Sequence, residues 1–529
     1  MMLLLACATS PELAPKPVAG PPPSSLVPLD APRLLRRMSL DLTGRLPDAV
    51  TLDAVEAVPA ALNAWRDAYF DDPRFEQRLV ELLAERWWTR VDDFEVDAFD
   101  YRLAEALEYT YERAVGDEPL RLIAHVVATG APWTEIVTAN YTMGNALLAS
   151  LWPLSCPNGD DWAPCTYTDG RPAAGVLATN GLWWRYTTTS ANLNRGRMAA
   201  MTRLLVCEDV LNRPISIASL TALSDPEAAA EAIRELPECY GCHADVDPAA
   251  ASLMGFYWTV MYSRVEHGTY HPDREYLWSS TLGIAPAWYG TPIAGLSELG
   301  PAVAADPRFE GCAAQSFAEL YWRRPITESD ADRLAWLVSE WDGTGKAMVR
   351  AVLDTPEYQA GTDPDATGER VVRLLSPGQL ASVFEDLTGY RWLQAGFDQM
   401  DNDTYGYRML AGGVDGEVVS AVQAEPGLTW SLVVKRLAEM AATNVVAVDL
   451  DNPQARLLAG VGVASRPGDP AFDAAISALA WRLYAERATD AEVGAWGALW
   501  QEMADVSDPG SAWTGLLTVM FRDLRLVTE

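Results

Sequence analysis

Two stretches far apart in the chain read as one unit. Residues 317–341, FAELYWRRPITESDADRLAWLVSEW, and residues 479–503, LAWRLYAERATDAEVGAWGALWQEM, each run as helix, Leu-Tyr-x-x-Arg, short turn, helix. In both, a threonine precedes an acid by three residues at the start of the second helix: Thr327 and Asp330, Thr489 and Glu492. That is a capping box, in which side chain and backbone satisfy each other's hydrogen bonds. Each hairpin is followed by another apolar helix, MVRAVLDTPEYQ (348–359) and WTGLLTVMFRDL (513–524). RLLRRMSLDLTGRLPDAVTLDAV (33–55) is a looser third copy around Arg45 and Asp48. Such a unit is an economical scaffold for burying one apolar face against another. The alternative is a repeated recognition surface.

The rest of the chain agrees with a mainly α fold, helical bundles of repeated hairpins with little β. Apolar residues recur every three or four positions over 72–91, 100–115 and 431–442. Strand alternation is scarce, and VVAVDL (445–450) is its best short example. Turn-forming residues cluster at 11–25, 156–172, 268–273, 361–368 and 464–470. These breaks suggest four parts: a leader and Pro-rich tether (1–26), an N-terminal helical domain (27–150), a helical domain holding the Cys-x-x-Cys-His motif (151–365) and a C-terminal helical domain (366–529). The 20 Trp read as core packing rather than a ligand cage.

Charge narrows the function classes. The formal net charge is −33, which opposes nucleic-acid binding, because phosphates need a basic surface. Lysine occurs only at 16, 346 and 435, so almost all positive charge is arginine, suited to fixed ion pairs. No run of apolar residues reaches the roughly 20 needed to span a membrane as a helix.

One motif carries chemistry. PECYGCHADVDP (237–248) contains Cys239-x-x-Cys242-His243, and about 0.001 such matches are expected by chance from seven Cys and four His in 529 positions. In c-type haem attachment both thiols add to the porphyrin vinyl groups and the adjacent histidine ligates the iron, so the three must be contiguous. Zinc is a poorer fit, because adjacent Cys242 and His243 do not easily reach one tetrahedral ion and no second pair follows. A thioredoxin-like dithiol needs a βαβ setting that the pattern lacks. A structural disulfide across two residues is strained. For the sixth iron position, Met254 is the leading candidate, with Met261, His267 and His271 as alternatives. Arg195, in Arg195-Gly196-Arg197, suits either a haem propionate or a structural salt bridge. His125, in LRLIAHVVA, reads as a core histidine.

The other cysteines have separate uses. Leu4-Leu5-Ala6-Cys7 resembles a lipobox, in which Cys7 would carry the lipid, and PELAPKPVAGPPPSS (11–25) forms a tether. A start upstream of Met1 would supply the basic region that the leader lacks, and Ala8 favours the outer membrane. Cys156 and Cys165 flank a polar turn, PNGDDWAP, and form the natural local disulfide. That leaves Cys207 with Cys312 as a second disulfide; the alternative is four buried thiols.

Several segments resemble a family. WTEIVTANYTMGNALLASLW (133–152), GVLATNGLWWRYTTTSANLNRGRMAAMTRLLVCEDV (175–210), CYGCHADVDP and GLSELGPAVAADPRFEGCAAQSFAELYWRRPITESD (295–330) are similar to the planctomycete-type cytochrome-c-like family of large exported proteins. The start, LLRRMSLDLTGRLPDAVTLDAV, resembles an associated N-terminal domain. The resemblance implies one covalent haem c on Cys239, Cys242 and His243, and no substrate. The chain departs from the family after Asp247-Pro248: many relatives carry glycine there, whereas here glycine is delayed to Gly255.

The expectation is an exported outer-membrane lipoprotein with one haem c, acting in electron transfer or a haem-dependent redox step with a redox partner protein. It would touch the membrane only through its lipid. The rival is a non-enzymatic surface scaffold or binding protein, serving for instance polymer uptake, with a structural Cys-x-x-Cys-His. A haem enzyme acting on a small molecule would need an open sixth position.

Overall fold

The computed structural model of the chain describes residues 22–90, 103–104, 107–157, 159, 161–212, 228, 231, 233, 236–257, 268–364 and 369–529. Within these the protein is mainly helical, as expected. Helix α1 spans Ala31–Thr43. Asp30 caps it by accepting from the Arg33 N–H, and Gly44, at φ 69°, turns the chain out in the left-handed conformation open to glycine. α2 (Ala49–Ala57) begins at Asp48, which accepts from the Thr51 N–H at 2.7 Å. α3 (Leu62–Phe70), α4 (Arg74–Trp87) and α5 (Glu108–Thr129) follow, then α6 (Arg195–Leu205) and α7 (Pro237–Ala251).

The two matching stretches fold alike. α8 (Pro307–Trp322) ends at Arg323, at φ 56°, and a capping box of Thr327 and Asp330 leads into α9 (Ala331–Ser339). α13 (Pro470–Tyr484) ends at Ala485, at φ 52°, and a capping box of Thr489 and Glu492 opens α14 (Asp490–Val506). Between them lie α10 (Gly345–Leu353), α11 (Pro377–Thr388) and α12 (Leu428–Asp449); α15 (Pro509–Phe521) follows α14. The looser copy, α1 to α2, has the same left-handed exit but a single Asp48 cap.

VVAVDL is not a strand. Residues 445–449 are the end of α12, where Val445 continues the buried row Leu437, Ala438, Ala441 and Ala442, and Leu450 caps it. Its β-branched residues favour a strand locally, but that row offers one helical face to the core, and packing overrides propensity.

Strands are short and peripheral. β1 (Val27–Pro28), β5 (Ala360–Asp363) and β6 (Glu369–Arg370) make one antiparallel sheet, in the order β1-β5-β6. β2 (Thr142–Gly144), β3 (Leu154–Ser155) and β4 (Ala163–Tyr167) make another, in the order β2-β4-β3. The Cys156–Cys165 disulfide lies within this second sheet, across the β3–β4 hairpin. The Cys207–Cys312 disulfide ties the end of α6 to α8 across 105 residues.

The buried side chains form two large cores. One draws on α1, α3–α6, α8 and α10, so it takes residues from both 27–150 and 151–365. The other is built from 374–527 with Leu40 and Leu46. Helix α1 therefore serves both, giving Leu34, Leu35, Met38 and Leu42 to the first and Leu40 to the second. Its polar residues stitch the seam. Arg36 donates to the carbonyls of Leu526 (2.6 Å) and Thr528 (2.9 Å), and Arg37 to those of Tyr358 (2.6 Å) and Ala360 (2.9 Å). Gln379 donates to Asp41 at 3.2 Å and to Glu529 at 3.0 Å, bridging two buried carboxyls. Burial, with Asp41 nearby, pushes the Glu529 carboxyl up to about 8.

Candidate functional site

Helix α7 carries the motif. Its C-terminal half is buried through Val246, Ala249, Ala250 and Ala251, while its N-terminal half reaches the surface, with Tyr240 56% exposed. On a helix, positions i, i+3 and i+4 share one face, so Cys239, Cys242 and His243 project together. Cys239 and Cys242 are half-buried and not joined in a disulfide. His243 is also half-buried. Among the described residues no group of three or more His, Cys, Asp or Glu is placed to hold a bare metal ion.

One turn beyond His243 lies Asp247. Its Oδ1 is 2.9 Å from His243 Nδ1. Arg195 grips the same carboxylate from α6, with Nε at 2.6 Å from Oδ1 and Nη2 at 3.0 Å from Oδ2. Burial works to raise the Asp247 carboxyl, but the hydrogen bonds from His243 and Arg195 outweigh it and hold the group below the usual carboxylate range. Asp247 is thus ionised at neutral pH and only accepts, so Nδ1 of His243 donates to it and Nε2 is the ring nitrogen left outside the pair. Arg195 is used in a salt bridge rather than left for a propionate.

Arg197, two residues along, holds the chain after α7. It is fully enclosed and donates to the carbonyls of Phe256 (3.1 Å), Tyr186 (3.0 Å) and Trp183 (3.3 Å) and to Asn194 Oδ1 (3.1 Å). Burial pulls its pKa down to about 9. Arg195 and Arg197 together hold the C-terminal part of α7 and the chain just after it against α6.

The candidates for the sixth position fall into different settings. Met254 is fully buried, with its sulfur 4.0 Å from both Asn194 Nδ2 and Thr281 Oγ1. His271 donates its backbone N–H to Gly255 O at 2.9 Å, and its Nε2 is buried with no partner among the described residues. Met261 and His267 lie outside the described residues, as does Cys7. The delayed glycine has a steric reason: a Cβ on Gly255 would sit 2.1 Å from the Tyr270 ring. His125 is half-buried at a helix edge, 3.8 Å from Glu76, rather than in the core.

Sequence reading passed over Asp247 as a working residue, although its i+4 spacing from His243 was a signal. It also passed over Asn194 and Thr281, whose approach to Met254 depends on tertiary folding alone. No protein-family model, curated protein or solved structure matches the chain, so its function is argued from this site.

Proposed function

We propose that the protein is an exported c-type haem protein, serving electron transfer or a haem-dependent redox step at the bacterial outer membrane. The observation that carries this reading is the His243–Asp247 hydrogen bond of 2.9 Å. A metal-ligating histidine characteristically donates its other ring N–H to a carboxylate or carbonyl, which fixes tautomer and ring orientation. The residues fit the group: two half-buried thiols and an imidazole with its outer nitrogen available share one face of α7. Each thiol S–H would add across one vinyl group, forming a thioether with no atom lost. Nε2 of His243 would take the iron, Asp247 would orient the ring and raise its basicity, and Arg195 would keep Asp247 in place. Haem supplies a one-electron iron couple when bound. The two disulfides support an oxidising compartment, where covalent haem attachment and an anchor on Cys7 both belong.

The test is expression in a bacterium competent for cytochrome c maturation. The expected result is a Soret band and a pyridine haemochrome spectrum that survive denaturation and are lost in Cys239→Ala/Cys242→Ala. Protein without a Soret band overturns the reading and leaves the scaffold role. Carbon monoxide binding to the reduced protein would assign the redox step to a small molecule. A six-coordinate, unreactive iron would assign it to electron transfer with a partner protein.

A further inference from the structure

A cleft of about 200 Å3 opens where α4, α6 and α8 meet residues 420–422 of the C-terminal part. Its charge opposes that of the protein. Arg86, Arg203, Arg323 and Arg324 line it against Glu85 and Glu319, with Asp330 behind Arg324, which leaves one positive charge over in a chain of net −33. Three of these arginines are already matched: Arg86 with Glu319 at 2.5 Å, Arg323 with Glu85, and Arg324 with Asp330 at 2.7 Å. Arg203 is not. It donates to the Arg86 carbonyl (3.1 Å) and the Tyr186 hydroxyl (2.8 Å), lies 3.6 Å from the centre of the Trp88 ring, and makes no ion pair among the described residues. A buried cation is costly unless an anion meets it. The remaining walls, Trp88, Leu320, Pro325 and Val422, are apolar.

We propose that this cleft binds a small organic carboxylate with a flat apolar body. The planar guanidinium of Arg203, stacked on Trp88, suits a carboxylate, and the aliphatic walls of Leu320, Pro325 and Val422 suit a small apolar body. The volume is below the roughly 300–1,000 Å3 of sites for drug-sized ligands, which limits the occupant to something small. The site stands apart from α7 and does not depend on haem.

Calorimetric titration of the full-length protein tests this with benzoate as the probe, against its neutral isostere benzamide and inorganic phosphate. Benzoate should saturate one site, with benzamide and phosphate each weaker by about tenfold or more. Arg203→Gln should weaken benzoate by a similar factor. Ala421→Trp, on the exposed rim, should block binding while leaving the melting temperature unchanged, and it decides the matter if Arg203→Gln fails to fold. Equal affinity for benzoate and benzamide, no benzoate binding, or unchanged binding in Ala421→Trp would overturn the proposal.

Discussion

His243 Nδ1 and Asp247 Oδ1 are 2.9 Å apart on adjacent turns of α7, and Arg195 braces the carboxylate from a second helix. A carboxylate behind an imidazole makes the opposite nitrogen a stronger donor, which favours oxidised iron. In the haem-loaded protein, Asp247→Asn should therefore raise the reduction potential by some tens of millivolts, where about 59 mV corresponds to a tenfold change for one electron. A spectroelectrochemical titration reads this directly. An unmoved potential would separate the pair from the iron.

Gly255 has no room for a side chain. A Cβ would meet the Tyr270 ring at 2.1 Å, in a segment that Arg197 holds through Phe256. Gly255→Ala should cost about 1–3 kcal/mol, the usual range for overpacking. Chemical denaturation measures it, and the same change in a Tyr270→Leu background should cost clearly less.

The two disulfides should differ in weight. Cys207–Cys312 closes a separation of 105 residues and Cys156–Cys165 one of 9. On a chain-entropy basis, replacing the first pair by serine should lower stability by about 4–5 kcal/mol and the second by about 2–3 kcal/mol. Denaturation of the two double variants gives the order. The reverse order would place the main constraint elsewhere.

The capping box before α9 should show itself in acid. Burial works to raise the Asp330 carboxyl, but Arg324 and the Thr327 N–H outweigh it and hold the pKa at about 2. An unfolded aspartate titrates near 3.9. The depressed value means a contribution that is complete above about pH 4 and disappears as pH falls through 2. Asp330→Asn should thus be less stable than the parent by about 1–2 kcal/mol at pH 7, with the gap closing toward pH 2. A gap independent of pH would show that the carboxylate's charge is not involved.

Local chemistry was legible in the amino-acid order. The Thr327–Asp330 and Thr489–Glu492 boxes need only four consecutive residues each, and the turn between Cys156 and Cys165 brings those thiols together without help. What depended on distant partners was not. VVAVDL has the composition of a strand, and only the row of buried residues before it makes it helical. His125 sits among apolar neighbours in sequence, yet its place on α5 turns it toward Glu76 at the helix edge. Asp247 was visible beside the motif, but its second partner, Arg195, lies 52 residues away. The cleft around Arg203 draws on α4, α6, α8 and residues 420–422, which no single stretch announces.

Helix α1, shared by both cores, has a consequence for synthesis of the protein. Most of the cluster around Leu34, Leu35, Met38 and Leu42 comes from residues before 359, but Leu40 and Leu46 belong to a cluster drawn otherwise from 374–527. In the exported chain proposed above, α1 crosses the membrane early and that cover arrives only with the last part of the chain. Throughout that interval the nascent chain holds an unfinished apolar edge near its beginning, one that a holding chaperone would be expected to occupy until the last helices arrive.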